Sequence, residues 1–204
     1  LNLRGTREEP ILLESFNPNQ RWFGLKWVDD FDAKMRHTIF DGGQISVQSD
    51  GGVMDMIHST VRNSLEGTAS VTGGIVRLFG SNIIDNNVGM VTTTSGRIEA
   101  DGFVTPSNFE GNGVAVEYNN TNGLPFMRNN WWGDPTGPHS VLHPNGQGEE
   151  VLDLHPAAFT PFLTAPPLLD DEYPTVEMEP VYFTMQSGDK TILRWSSSDD
   201  DEVI

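Results

Sequence analysis

The chain contains no cysteine, and only three of its 204 residues are lysine: Lys26, Lys34 and Lys190. Cytosolic proteins usually carry a few thiols, so their absence leans toward an exported prokaryotic protein that avoids stray disulfides. No run approaches the roughly 18 apolar residues that a membrane-spanning helix needs. No stretch keeps apolar residues at i, i+3, i+4 and i+7 over several turns, which argues against long amphipathic helices. No signal peptide is visible either. The chain opens on Leu1-Asn2-Leu3-Arg4-Gly5-Thr6, which reads as a strand and a turn, so the expectation is a larger precursor with its signal and N-terminal cap upstream.

Hydrophobic residues make up 36% of the chain, while 21 residues are glycine and 13 proline. That balance suits many short strands joined by turns. The formal charge is −17, from 29 acidic and 12 basic residues. A field of that sign repels phosphate backbones and anionic lipid, so nucleic acid and membrane insertion are not expected as partners. It attracts cations, Ca²⁺ among them.

Between residues 30 and 133 a short pattern recurs: a small polar residue, one or two apolar residues, then Asn, Asp or Gly. His37–Gly43 is the first copy, followed by the stretches opening at Ser59, Ser81, Ser107 and Phe126. Further strands are expected at Phe23–Val28, Gln44–Gln48, Gly74–Leu78, Met90–Thr93, Gly96–Glu99 and Val114–Tyr118. Two or three strands in 20-odd residues is too short for a propeller blade and lacks the helix of a leucine-rich repeat. It fits one turn of a solenoid. An immunoglobulin-like sandwich also places short strands at about 8–12-residue intervals.

In a stacked solenoid each strand lies about 4.8 Å from the equivalent strand of the next coil, so five coils make a rod of about 24 Å. Ile39, Val61, Ile83 or Ile84, and Phe109 are then expected to form one internal column. Asn63, Asn86 or Asn87, Asn112 and Asn129 are expected at one tight turn, where the left-handed conformation suits Asn.

The series ends on Asn129-Asn130-Trp131-Trp132-Gly133-Asp134-Pro135-Thr136-Gly137-Pro138, then His143-Pro144-Asn145-Gly146-Gln147-Gly148 and Phe159-Thr160-Pro161-Phe162-Leu163-Thr164. This order resembles the C-terminal end of bacterial and archaeal right-handed parallel β-helix repeat proteins of the pectate-lyase-like superfamily. Phe162 stands where those proteins usually have Trp. Gly5-Thr6, Pro10–Ser15 and Trp22-Phe23-Gly24 look like an early coil of the same proteins. The resemblance covers residues 1–167 and implies an all-β, right-handed parallel β-helix of about five coils. An open solenoid exposes an apolar cross-section, which Trp131, Trp132, Phe159, Phe162 and Leu163, with the Gly133-Asp134 turn, are placed to cover. The competing reading of the same aromatics is a platform for a sugar ring.

Residues 168–174 read as an acidic, proline-marked linker. Residues 175–204 resemble the start of an immunoglobulin- or fibronectin-like module, with Asp199–Glu202 at its first inter-strand turn. That stretch alone is too short to close two sheets.

Polysaccharide lyases and hydrolases share the expected fold, so an enzyme has to be weighed. The resemblance implies an Arg or Lys base beside acidic Ca²⁺ ligands for a lyase, or clustered aspartates with Gly-His-Gly and Arg-Ile-Lys for a hydrolase. Neither tripeptide occurs. Arg62, Arg77, Arg97 and Arg128 are candidate bases, with no acid cluster beside them in sequence. For glycan stacking the candidates are Trp22, Trp27 and Tyr118. For Ca²⁺ they are Asp29, Asp30 and Asp32 in one loop and Asp199, Asp201 and Glu202 in another, because dense carboxylate turns can supply several of its six to eight oxygens. The five histidines have no zinc-ligand spacing, and the recurring serines follow the coil, which points to structure. The Asn119-Asn120-Thr121 sequon matters only in a source that glycosylates it.

The reading favoured by the sequence is a non-catalytic structural or adhesive segment of an exported, cell-surface protein that meets polysaccharide or other surface proteins. A polysaccharide-binding or polysaccharide-cleaving domain is the first alternative. A filament or surface-layer subunit joined by strand addition is the second.

Overall fold

The structure, a computed structural model, describes residues 1–167 apart from 18, 30, 31, 94 and 121–123. The linker at 168–174, the module at 175–204, and with them Asp199, Asp201 and Glu202, lie outside the described residues.

The described chain is an all-β parallel β-solenoid of about four turns, built from three parallel sheets. The first turn carries β1 (Asn2–Arg4), β2 (Ile11–Leu13) and β3 (Leu25–Asp29), and the second β4 (Ala33–Arg36), β5 (Thr38–Asp41) and β6 (Ile45–Gly51). Then come β7 (Val53–Ile57), β8 (Thr60–Arg62) and β9 (Glu66–Val71), followed by β10 (Ile75–Phe79), β11 (Asn82–Ile84) and β12 (Val88–Thr92). β13 (Arg97–Glu99), β14 (Asn108–Glu110), β15 (Val114–Tyr118) and β16 (Val151–Leu152) complete the set. The first sheet runs β1-β4-β7-β10-β13, the second β2-β5-β8-β11-β14, and the third β3-β6-β9-β12-β15-β16. The sequence expects five coils, and the structure has about four turns.

Inward side chains stack along the axis, so like residues pack on like. In the second sheet Leu13 pairs with Phe40, Phe40 with Val61, Val61 with Ile83 and Ile83 with Phe109. The last four are fully buried, and removing each from water contributes about 1.5–3 kcal/mol. Phe40 takes the place in this column that the sequence reading gives to Ile39. Thr38 is buried just before it, and period-2 alternation turns Ile39 to the outer face, opposite Thr60. The first sheet contributes two inward columns, Ala33–Met54–Val76–Ile98 and Leu3–Met35–Met56–Leu78.

The corners are held by side chains that reach one rung along. At the corner before the second sheet, the backbone N–H of Thr38 donates to Ser59 Oγ (3.2 Å), Ser59 N–H to Ser81 Oγ (3.2 Å), Ser81 N–H to Ser107 Oγ (3.1 Å) and Ser107 N–H to Asn130 Oδ1 (2.8 Å). The recurring serines are thus buried rungs of a polar ladder. A second ladder follows the second sheet. Ser46 and Ser64 share a hydroxyl bond of 2.6 Å, Ser64 N–H donates to Asn86 Oδ1 (3.0 Å), and Asn86 Nδ2 donates to Asn112 Oδ1 (3.0 Å). Asn112 Nδ2 ends it on Glu149 Oε2 (3.0 Å).

The asparagines therefore divide between two corners. Asn63, Asn86 and Asn112 lie after the second sheet, whereas Asn129 lies before it, left-handed at φ 58° like His37, His58 and Gly80. The left-handed residues of the asparagine corner are Gly42, Asn63, Asp85, Gly111 and Gly133, with φ between +55° and +78°. His37, His58 and Gly80 play that part at the other corner, with φ of 46°, 47° and 54°. Asn, Asp and Gly tolerate this conformation best.

Candidate functional site

The outer face of the first sheet gathers the charged chemistry of the solenoid. One outward column runs Asn2–Lys34–Asp55–Arg77–Glu99 and continues to Phe126 by an isolated bridge. Charges alternate along it. Lys34 Nζ stands 3.9 Å from Asp55 Oδ2, Arg77 Nη1 3.8 Å from Asp55 Oδ1, and Arg77 Nε 2.9 Å from Glu99 Oε2. Arg97 Nη2 reaches the other oxygen of Glu99 at 3.1 Å. The next column runs Arg4–Arg36–Ile57–Phe79.

Beyond β13 the chain adds Phe126 and Arg128 to this face. The Arg128 guanidinium lies 5.7 Å from the Phe126 ring centroid and bonds Asp101 at 2.7 Å. Phe79 and Phe126 are both exposed. The result is a surface that sets two phenyl rings, Phe79 and Phe126, beside the guanidiniums of Arg77, Arg97 and Arg128 and the carboxylates of Asp55, Glu99 and Asp101. Phenyl faces accept the C–H face of a pyranose ring, and paired Arg and carboxylate groups hydrogen-bond hydroxyls, so this is a surface that can hold a glycan.

Proton abstraction is less well served. Arg77, Arg97 and Arg128 each direct N–H donors at a carboxylate, which keeps the guanidinium occupied. Asp55 is pushed up from its ordinary range by burial, because its contacts to Arg77 and Lys34 are too long for hydrogen bonds. Asp101 is held below its ordinary value: burial opposes this, but hydrogen bonds from Arg128 and Asn129 outweigh it together.

The three stacking candidates lie elsewhere. Trp27 and Tyr118 occupy the two ends of one inward column of the third sheet, separated by Ser49, Ser70 and Thr92. Tyr118 is buried, and Trp27 packs against the core. Trp22 lies nearly parallel to Phe40, with 6.5 Å between centroids, and donates its indole N–H to the Asp41 carbonyl at 2.8 Å. They share no groove. Alternation decides this: in a two-sided sheet, a large aromatic in phase with buried neighbours is an inside residue. The exposed aromatics of the first sheet's outer face are Phe79 and Phe126, in phase with Arg77 and Glu99.

Of the candidate bases, Arg77, Arg97 and Arg128 come together on the first sheet's outer face, while Arg62 pairs with Asp41 at 2.8 Å on the second. The Trp-rich block packs against the core beyond β14. Trp132 is fully buried, parallel to Phe109, and meets Phe159 edge-on. Trp131 is 6% exposed and bridges to Asn108. Gly133 turns at φ +78°, and the Asp134 carboxylate accepts from Thr136 N–H (2.8 Å) and hydroxyl (2.6 Å), which hold it below its usual range. The Phe162 ring lies on Gly137, where a Cβ would come within 2.5 Å of it.

Of the early aspartates, Asp30 lies outside the described residues, Asp29 ends β3, and Asp32 is exposed before β4. Among the described residues no group of three His, Asp or Glu is placed to hold a metal ion, and no helix is long and apolar enough to cross a membrane. Asn119 is exposed, its amide bonded to Glu117 at 3.1 Å. Comparison with known proteins finds no family model, no curated protein and no solved structure that matches the chain.

Proposed function

We propose that the chain is a non-catalytic, rod-like segment of an exported surface protein, in which the solenoid presents its regular outer faces to surface partners. The observation that carries this reading is that Arg77, Arg97 and Arg128, the candidate bases on the face of Phe79 and Phe126, are each held by a carboxylate. The right-handed winding expected of the superfamily it resembles accords with the general preference of parallel crossovers. Trp131, Trp132, Gly133, Asp134 and Phe162 act as a structural cap on this reading, because the block sits where the stacked core ends.

The test is a screen of the purified chain, with Ca²⁺, against acidic and neutral polysaccharides, following new reducing ends and unsaturated-product absorbance. The rod reading expects no turnover. Turnover abolished by Arg97→Ala or Arg128→Ala would make the protein a lyase-like enzyme.

A second reading, glycan binding without cleavage, is favoured by Phe79 and Phe126 beside Arg97, Arg128 and Glu99. It expects retardation in polysaccharide-containing native gels that is lost in Phe126→Ala. Equal mobility of the two proteins on every polysaccharide tried would remove it.

A further inference from the structure

The outer faces of the first and third sheets are complementary. On the first, Arg4, Lys34, Arg36, Arg77 and Arg97 stand against two carboxylates, Asp55 and Glu99, among Val53, Ile57, Ile75 and Phe79. This is a cationic, partly apolar face on a chain of net charge −17. Arg4 and Arg36 are register neighbours, so like charges are stacked one strand spacing apart. Both are exposed; Arg4 bonds only the Asn2 amide at 3.2 Å, and Arg36 forms no ion pair among the described residues. Like charges at such close register oppose each other, and nothing in the described chain neutralises them.

The third sheet presents the converse. One outward column runs Ile45–Glu66–Val88–Val114, β-branched residues about a single acid, and the next runs Lys26–Gln48–Ala69–Val91–Glu117–Leu152, with its acid four rungs from its lysine. Lys26 is occupied by Asp50 at 2.7 Å, at one end of the sheet. Glu66 is half-buried with no cation paired to it among the described residues, and burial together with the Glu117 charge disfavours its ionised form.

We propose that the first-sheet face of one copy docks on the third-sheet face of a second copy, Arg4, Arg36 and Lys34 supplying the cations that Glu66 and Glu117 lack. This deepens the rod reading, on which it rests, by naming the partner. The contact joins two different faces, so it is heterologous and propagates into an open lateral row. Two flat sheets stack at about 10 Å with interdigitating side chains. A face of about 24 Å by 13 Å is only about 300 Å² per partner, well under the roughly 800 Å² of a stable pair. A single contact is therefore weak, and the row forms at high local concentration.

The experiment is sedimentation velocity on the full chain at about 0.5 mM, in about 0.15 M salt, where a Debye length of about 8 Å screens the net repulsion more than contact pairs. The expected result is a weight-average mass rising above the monomer, and returning to it in about 1 M salt. Arg4→Glu/Arg36→Glu and Glu66→Lys/Glu117→Lys, each checked for wild-type circular dichroism, are expected to be monomeric alone and to associate when mixed. A monomeric wild type, or association indifferent to both variants, overturns the proposal. Should the rod reading fail instead, polysaccharide turnover would show it, whatever the sedimentation result.

Discussion

Trp132 lies on Phe109 with ring centroids 4.5 Å apart and planes within 11° of parallel. It stands one residue past the Asn108–Trp131 bridge and so extends the Leu13–Phe40–Val61–Ile83–Phe109 column by one more rung. The rung after β14 is thus held by the same stacking that builds the column. Trp132→Ala is expected to cost about 3–5 kcal/mol, as for other fully buried aromatics. Trp132→Phe should cost much less, because the indole Nε1 is buried without a hydrogen-bond partner, and phenyl removes that donor. Urea unfolding midpoints of the two variants measure the difference; equal losses would mean the ring stack is not what holds that rung.

The asparagine ladder makes a separate prediction. Asn86 Nδ2 donates to the carbonyls of Val61 (3.1 Å) and Ile84 (2.9 Å), while its Oδ1 accepts the Ser64 N–H. Asn86→Ala leaves these buried groups unpaired and should cost about 2–4 kcal/mol, more than Asn63→Ala at the exposed side of the same corner. Paired urea titrations decide it, and an equal cost would contradict the ladder.

Glu149 gives a pH dependence. Its carboxylate accepts from Gly111 N–H (2.8 Å), Asn112 N–H (2.9 Å) and Asn112 Nδ2 (3.0 Å). Burial is nevertheless the largest influence and pushes its pKa up, with Glu110 adding to it. The folded state then holds this proton more tightly than the unfolded chain. The group's contribution is fully present below the ordinary glutamate range and is lost as pH rises through the raised folded value. Glu149→Gln should therefore show a flatter decline in stability over that window. Asp50 and Asp134, held low by hydrogen bonds from Lys26 and Thr136, run the other way in both proteins and cancel in the comparison.

Two glycines should respond differently to alanine. At Gly96 an added Cβ would stand only 1.8 Å from the Ser70 carbonyl oxygen, so the β12–β13 corner must move away from β9. Gly42 has φ +73° and nothing within 4 Å, leaving only the left-handed penalty of about 1–2 kcal/mol. Thermal melts should place Gly96→Ala well below Gly42→Ala, with Gly42→Asn closer to wild type.

The sequence displayed the period more clearly than the phase. Strands rich in Val, Ile and Tyr, such as Val114–Tyr118, were legible with their bounds, whereas β4, β7 and β9 were not. Ala33-Lys34-Met35-Arg36 has the composition of a helix, and Glu66–Val71 fills its inward positions with Thr68 and Ser70. In a stacked sheet pairing partners one coil away decide the strand, so local propensity is a weak guide. The same holds for the site. Arg77 and Arg128 stand out as candidates in the sequence, but Glu99 and Asp101 become their partners only through a register that brings residues 22 and 27 apart into contact. Trp22, Trp27 and Tyr118 attracted attention by type alone, and their phase turns them to the core.

One step of the ladder is longer than its neighbours. Ser59 to Ser81 spans 22 residues and Ser81 to Ser107 spans 26, yet both hydrogen bonds close at the same length to within 0.1 Å. β10 and β13 still pair 22 apart, so the four added residues lie between β13 and β14, where Phe103 and Val104 are 83% exposed. The solenoid behaves as a thread pinned at fixed points with free slack between them. Sequence can be let out at that one corner, loop by loop, to acquire new surface chemistry while every pinned column keeps its step.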